Sequence, residues 1–327
     1  MNDILVYSLK KCAIGLVMII SVSVLLFFLM HLLPGDPIDY MIPKDAIVSD
    51  SIKDAMRAKW GLDKPLVVQY VVWAGKILQG DFGKSILYNQ PVIHLILIKL
   101  PTTLKLAFSS MLIVALITIP LGLLSAFKHG KFFDKFFLSL TTITSSIPSF
   151  WLALLLVIAF AISIPSMFPA LKGIMPPISG IEAGFRSFIL PVATNVICGM
   201  AGLYRFTRSE VLENMKEKYV LTAYAKGLSE TKVLYKHILR NSMITVVVMF
   251  FLGLPTMISG SVIIERIFAL PGTGDFIFSS ISSNDYPAVM GVVLIVSVLT
   301  VICNTAADIV TALLDPRIRI ELKGAIK

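Results

Sequence analysis

The sequence predicts an all-α, polytopic membrane protein with six transmembrane helices and both termini in the cytoplasm, and three observations carry that prediction. The chain is 56% hydrophobic and 15% charged, with a mean hydropathy of +0.85, whereas a water-soluble domain carries about a quarter charged residues. Its apolar residues are gathered into runs near the roughly 20 residues a helix needs to cross the hydrocarbon. Between those runs lie basic clusters: Lys10 and Lys11, then 128–135, 205–240 and 317–327, which together hold more than half of the 29 Lys and Arg. That alternation is the positive-inside pattern, so the formal charge of +9 sets topology and does not mark a nucleic-acid partner.

Residues 1–12 form a cytoplasmic N-terminus and 13–33 the first span. That run is too long, and lacks a small-residue cleavage site, for a removed signal peptide, so it is expected to stay as an anchor. The outer loop 34–102 shows helical periodicity. Pro65 opens a helix in which Leu66, Tyr70, Trp73 and Ile77 recur on one face before Gly80 ends it. A second short amphipathic helix covers 51–60, and a third, 91–100, leads to the second span with Pro101 as the break. These short extracytoplasmic helices are expected on the outer membrane face, because the loop is too short to bury a good core by itself. The remaining spans are 103–127, 137–164, 188–204, 243–264 and 288–314. In the third, Ser145-Ser146-Ile147-Pro148 predicts a kink or an interfacial first turn. In the fourth, Pro191 falls in the first turn, where it is tolerated. With the basic clusters inside, 165–187 and 265–287 are outer loops and 315–327 is a cytoplasmic tail.

Few residues suggest chemistry. Cys12, Cys198 and Cys303 are isolated and form neither a disulfide framework nor a CxxC site. His31, His94, His129 and His237 include no i, i+4 pair, and no metal site is expected. The sequence has no GxxxxGK[ST] loop, GxSxG elbow or HExxH helix. No catalytic residue is assigned, the chain is expected not to be an enzyme, and any ATP hydrolysis belongs to another polypeptide. Gly253, Pro255 and Gly260 in the fifth span permit close packing and a bend, as a gate, a hinge or a static kink. Asn304 and Asp308 lie one turn apart near the inner end of the sixth span, where Asp308 can reach water or pair with a cation. Lys105, near the outer end of the second span, reads the same way.

The most informative stretch is the cytoplasmic loop 205–242, which contains YVLTAYAKGLSETKVLYKHILRN at 219–241. Residues 219–226 can form a short helix that Gly227 closes in a left-handed C′ position. Ser229 is a plausible N-cap for a second helix, with Glu230 at its positive end. The result is a stub with Leu221, Tyr224 and Ala225 near its tip, a shape suited to insertion in a groove on another protein. A helix-turn-helix DNA reader has a similar look but needs a third packing helix, and the fifth span begins at once. An ordinary basic loop would orient the protein without this length or this glycine.

The order Leu221-Thr222-Ala223-Tyr224-Ala225-Lys226-Gly227-Leu228-Ser229-Glu230, followed by His237 and Leu239-Arg240-Asn241, resembles the EAA-type ATPase-coupling loop of the oligopeptide/dipeptide/nickel family of ABC importer permeases. Where the general pattern has Glu-Ala-Ala, this chain has Leu221-Thr222-Ala223, so no glutamate contact is carried over. Leu32-Leu33-Pro34-Gly35-Asp36-Pro37, Gly61-Leu62-Asp63-Lys64-Pro65, Gly80-Asp81-Phe82-Gly83-Lys84-Ser85, Pro148-Ser149-Phe150-Trp151, Ile264-Glu265-Arg266-Ile267-Phe268-Ala269-Leu270-Pro271-Gly272 and Asp315-Pro316-Arg317-Ile318-Arg319 are similar to the family in the same order. The resemblance implies a type-1 ABC transmembrane domain over 103–314 in a bacterial inner membrane. It implies four partners besides the lipid bilayer: a second permease subunit, two cytoplasmic ATPases and an extracytoplasmic substrate-binding protein. No cofactor is expected on this chain, with ATP and Mg²⁺ held by the ATPases. Peptides are the first expected cargo and nickel or a metal chelate the alternative. An ion-coupled secondary transporter is more distant, since it would need internal repeats and midplane charges that are not apparent.

Overall fold

The computed structural model describes residues 2–32, 49–60, 63–168 and 181–314. Within them the chain is helical, and the one extended pairing is an isolated bridge between Lys84 and Pro91. The motifs at 33–37, 61–62 and 315–319 lie outside the described residues, as does the tail. Five helices are long and apolar enough to cross a membrane, and a sharply bent pair makes a sixth crossing if it counts as one span.

Helix α1 (Asn2–His31) carries Lys10 and Lys11 in its first third and is largely apolar from there on. After it come two short helices, α2 (Asp50–Trp60) and α3 (Leu66–Leu78). Pro65, at φ −54° and ψ 142°, starts α3, and Gly80, at φ +81°, follows its end. No residue of α3 is buried. It hangs on the end of α1 through the stripe read from the sequence: the Tyr70 hydroxyl is 2.9 Å from Ser23 Oγ, and Trp73 and Tyr70 each place a ring centroid 5.6 Å from that of Phe27.

Helix α4 (Val92–Phe127) is continuous, with Pro101 and Pro120 inside it. The break expected at Pro101 does not occur. Proline removes one ladder hydrogen bond and crowds the preceding turn. Here Val92, Leu95 and Ile96 are buried against Phe276, Ala288 and Val292, which holds the first turns in line with the rest.

The kink expected near Pro148 is a right-angle break. Helix α5 (Phe132–Ser146) and α6 (Ser149–Leu156) meet at 97°. A residue before proline is driven out of the helical region; Ile147 sits at ψ 122° and Pro148 at ψ 134°, so two successive residues are extended. The chain then runs through a π-turn (Val157–Ser163) into the short α7 (Ile164–Met167).

A 3₁₀ segment (Ile181–Phe188) leads into α8 (Ile189–Met215), with Pro191 in its first turn. This helix continues well past Tyr204, the end expected for the fourth span, so Arg205 and Arg208 are helical and not part of a loop. Then come α9 (Lys218–Ala225), α10 (Glu230–Val233), a π-turn (Leu234–Ile238) and α11 (Leu239–Ile267). The stretch 265–287, expected as an outer loop, folds into the bundle. Its first residues finish α11, and α12 (Thr273–Ser282) buries Phe276 completely before α13 (Tyr286–Leu314) begins.

Helix α8 is the hub, lying against α4, α5, α6 and α11. Leu106, Met111, Val114, Val196, Leu203 and Leu254 are among the buried residues of that core. Helix α1 flanks α13, and at Gly15 a Cβ would come within 2.8 Å of Val301 Cγ1. Lys11 Nζ lies 2.9 Å from the Asp308 carboxylate across the same seam, so Asp308 pairs with a cation, one of the two roles open to it in the sequence.

Candidate coupling surface and a buried carboxylate clamp

The bundle has a basic end, with the stub, and a far end, with α12. At the basic end α9 is closed by two backbone bonds, from Gly227 N–H to Tyr224 O (2.9 Å) and from Leu228 N–H to Ala223 O (3.3 Å). With Gly227 at φ +75° this is the Schellman arrangement, which satisfies the last carbonyls of a helix. The second helix starts at Ser229 as its position suggested, but the hydroxyl makes no cap hydrogen bond. The extended backbone there (φ −62°, ψ 150°) forms the N-cap without it, and Glu230 follows in the first turn.

The stub has a small core of its own. Val220, Ala223, Val233 and Ile238 are buried against Ala126 of α4 and Val211 of α8. Ala223, grouped with the docking residues on sequence grounds, therefore faces inward, at 4% exposure. The outward face carries Leu221 (64% exposed), Tyr224 (44%) and, across the turn, Tyr235 (61%). Thr222, Ala225, Lys226, Gly227, Ser229 and Glu230 are exposed around them, and Leu228 is half-buried. Large apolar and aromatic side chains held outward on a rooted helix pair are what helix-in-groove recognition needs.

Beside the stub, the loop between α4 and α5 is fixed to α8. Arg208 donates from Nε and Nη2 to the two oxygens of Asp134, at 2.5 and 2.7 Å, and Gly130 N–H donates to Asp134 Oδ2 at 2.9 Å. Asp134 is nearly fully buried. A fork of this kind fixes orientation as well as charge.

Gly253, Pro255 and Gly260 all lie within the unbroken α11. Pro255 is buried, and a Cβ on Gly253 would meet Met111 Cε of α4 at 2.7 Å, so the methionine end packs against the space this glycine leaves.

The far end holds two buried carboxylates that sequence reasoning missed. Glu265, in the last turn of α11, is fully buried. Its Oε1 accepts from Thr103 Oγ1 (2.7 Å) and Ser261 Oγ (2.9 Å), and its Oε2 accepts from Gly274 N–H (2.7 Å) and Asp275 N–H (3.2 Å). The carboxylate thus caps the positive end of α12 and ties it to α4 and α11. The neighbouring glycines follow from it: a Cβ on Gly272 would lie 2.2 Å from Glu265 Oε2, and one on Gly274 would lie 2.6 Å from Val262 Cα. Asp285 caps α13 through Ala288 N–H (3.3 Å) and also accepts from the Ser85 hydroxyl and from Leu87 N–H (3.2 Å). It pins the segment after α3 to the corner between α12 and α13. The N-cap signal at Asp285 was legible, since an Asp stands two residues before Pro287. Nothing in the sequence pointed to the four donors around Glu265.

These features define a multi-pass helical membrane subunit, clamped at one end and presenting an apolar-tipped stub at the other. Residues 118–320 match the family described as binding-protein-dependent transport system inner membrane component, and residues 4–107 match the corresponding N-terminal family. The chain belongs to this family and is a membrane permease subunit. The oligopeptide transport system permease protein AppB of Bacillus subtilis (strain 168) is 36% identical over 319 residues, covering 95% of this chain and 98% of its own. The di/tripeptide transport system permease protein DppB of Pseudomonas aeruginosa (strain UCBPP-PA14) is 34% identical over 317 residues, covering 91% of this chain and 94% of its own. Among solved structures, the inward-facing MetNI methionine ABC transporter aligns with a TM-score of 0.52 at 17% identity, over 68% of this chain and 97% of that one, and shares the fold.

Proposed function

We propose that this chain is one of two membrane subunits of an ATP-driven importer for peptides, with α9 and α10 as the helices gripped by a separate cytoplasmic ATPase. The observation that carries this reading is the outward face of Leu221, Tyr224 and Tyr235 on a stub with its own buried core. Exposed aromatic and aliphatic side chains of that size on a fixed scaffold are poorly explained by solvent and well explained by a partner groove. The basic end is then cytoplasmic and the Glu265 end faces the extracytoplasmic binding protein, in a bacterial inner membrane. ATP and Mg²⁺ sit on the ATPase chains, and a second, homologous permease completes the path. Relatives named for oligopeptide and di/tripeptide transport favour peptides over nickel or a metal chelate. Gly253, Pro255 and Gly260 give α11 the place where a bend would gate the path.

The test is copurification followed by uptake in proteoliposomes. Two ATPase chains should arrive with the permease, and peptide entry should require ATP and the binding protein. Leu221→Asp with Tyr224→Asp should remove the ATPases and abolish uptake while the permease still folds. Nucleotide-independent transport by the isolated chain would refute the proposal.

A further inference from the structure

The exposed surface of α5 is divided between two chemistries. Phe132, Phe136, Leu140 and Ile143 recur at helical spacing and are exposed, an apolar strip suited to lipid. About a quarter-turn away, Lys135, Ser139, Thr142 and Ser146 recur at the same spacing and are also exposed, with Ser145 beside them. This second strip runs from the basic loop to the break at Ile147 and Pro148, where the first turn of α6 presents Phe150 (47% exposed) and Trp151 (48%).

Lipid is a poor neighbour for that strip. At a helix break the last carbonyls of one helix and the first N–H groups of the next lack intrahelical partners. Hydrocarbon cannot supply them, so irregular backbone inside a membrane protein is found buried in protein or lining water. The hydroxyls are also pre-set: Thr142 Oγ1 donates to Leu138 O (2.8 Å), while Ser145 Oγ (2.9 Å) and Ser146 Oγ (3.0 Å) both donate to Thr142 O. With their protons committed to the helix, all three oxygens offer lone pairs outward as acceptors.

We infer that the polar strip of α5 and the aromatic first turn of α6 form a wall of the translocation path and hold an extended peptide by its main chain. This rests on the importer reading above. Outward hydroxyl oxygens accept peptide N–H groups whatever the side chains are. Phe150 and Trp151 offer ring faces to apolar side chains, and the Trp151 indole N–H can donate to a peptide carbonyl. Lys135, at the basic end of the strip, suits the C-terminal carboxylate of a peptide. The wall contains neither carboxylate nor imidazole, the groups a bare metal cation would need.

The experiment uses the full transporter in proteoliposomes, with Cys12, Cys198 and Cys303 replaced and single cysteines placed on the two strips. A charged, membrane-impermeant methanethiosulfonate reacts with the thiolate, which forms in water and not in hydrocarbon. Thr142→Cys and Ser146→Cys should react about tenfold or more faster than Ile143→Cys and Leu140→Cys. Modification at Ser146→Cys should block peptide uptake while ATP hydrolysis continues, and transported peptide should slow the labelling. Apolar-strip cysteines that react as fast as the polar ones would overturn the assignment. If ATP-driven uptake persists with unreactive strip cysteines, the path lies elsewhere and the importer reading stands. If the complex lacks ATPases or moves peptide without ATP, the importer reading falls and takes the wall with it.

Discussion

Replacing Glu265 by Gln tests whether the buried carboxylate holds the far end of the bundle together. The side chain accepts four hydrogen bonds, two from hydroxyls and two from the rigid N–H groups of Gly274 and Asp275. Glutamine keeps one carbonyl oxygen, which must serve the backbone pair because those donors cannot rotate. Its NH₂ group then faces Thr103 and Ser261. Ser261 can still donate to Ile258 O at 2.8 Å, and Thr103 must reorient. Hydrogen bonds to a charged acceptor are worth about 1.5–3 kcal/mol and neutral ones about 1 kcal/mol. Losing charge assistance on two bonds, offset by no longer burying a charge, gives a net cost of about 2 kcal/mol. That corresponds to a roughly 30-fold rise in local opening. Glu265→Ala leaves both N–H groups unpaired, at about 1–3 kcal/mol each, while the Thr103 hydroxyl can turn to Thr273 Oγ1 at 2.9 Å; with its cavity added, it should cost more than Gln. Hydrogen exchange at the amides of Gly274 and Asp275 reads this directly. Asp275→Asn is the control, because its pairing with Arg266 (2.8 Å) lies at the surface, and it should change stability by under about 1 kcal/mol. Exchange in Glu265→Gln within about threefold of the unmodified protein, under 1 kcal/mol, would refute the clamp.

Substitutions at four other positions have outcomes fixed by the contacts described above. Arg208→Lys cannot reproduce the fork on Asp134 and should lower thermal stability in detergent by about 1–2 kcal/mol, while Arg208→Ala, which strands a buried carboxylate, should cost about 3–5 kcal/mol. Gly227→Ala has open space for its Cβ but must hold φ +75°; the strain of about 1–2 kcal/mol should appear as faster proteolysis between 218 and 233 and as less peptide imported per ATP. Lys11→Ala should change stability by under about 1 kcal/mol, because the two side chains of the pair are 30% and 44% exposed, whereas Gly15→Val, driven into Val301, should cost about 1–3 kcal/mol by thermal unfolding.

The elements legible in the sequence were those governed by local rules. Hydropathy located the membrane-length helices, Pro65 and Gly80 bounded α3, and Gly227 ended α9 in the left-handed conformation it was read for. What was missed depends on neighbours distant in the chain. Pro101 looked like a break because proline opposes helix, but Phe276 and Val292, far along the sequence, hold that turn in place. Ala223 sits in the most recognisable motif of the stub, yet only the packing of Val211 and Ile238 shows that it faces inward. Glu265 lay in a stretch read as an outer loop, and its importance comes from Thr103 on α4 and two backbone donors, which no periodicity reveals. Polar residues that serve the fold by pairing across elements leave almost no trace in a hydropathy profile.

The two ends of the bundle are joined by one helix. Helix α11 leaves the stub through the π-turn at Leu234–Ile238, runs 29 residues and ends in the last turn that holds Glu265. At 1.5 Å per residue it is about 43 Å long, more than the hydrocarbon thickness. A π-turn widens the helical repeat locally and is where a helix most readily changes register or bends. Val233, just before this turn, and Ile238, its last residue, are fully buried in the stub core. Their burial ties the root of α11 to the stub core, and the next place along α11 where it can bend is the stretch from Gly253 to Gly260 around Pro255. Displacing the stub core moves the base of α11 as a unit, and the clamp passes that motion to α12 through the bonds to Gly274 and Asp275. On this geometry, weakening Glu265 should let ATP hydrolysis proceed while the far end stops following. A variant of Glu265 that loosens α12 yet imports peptide at full yield per ATP would show that the motion travels by another helix.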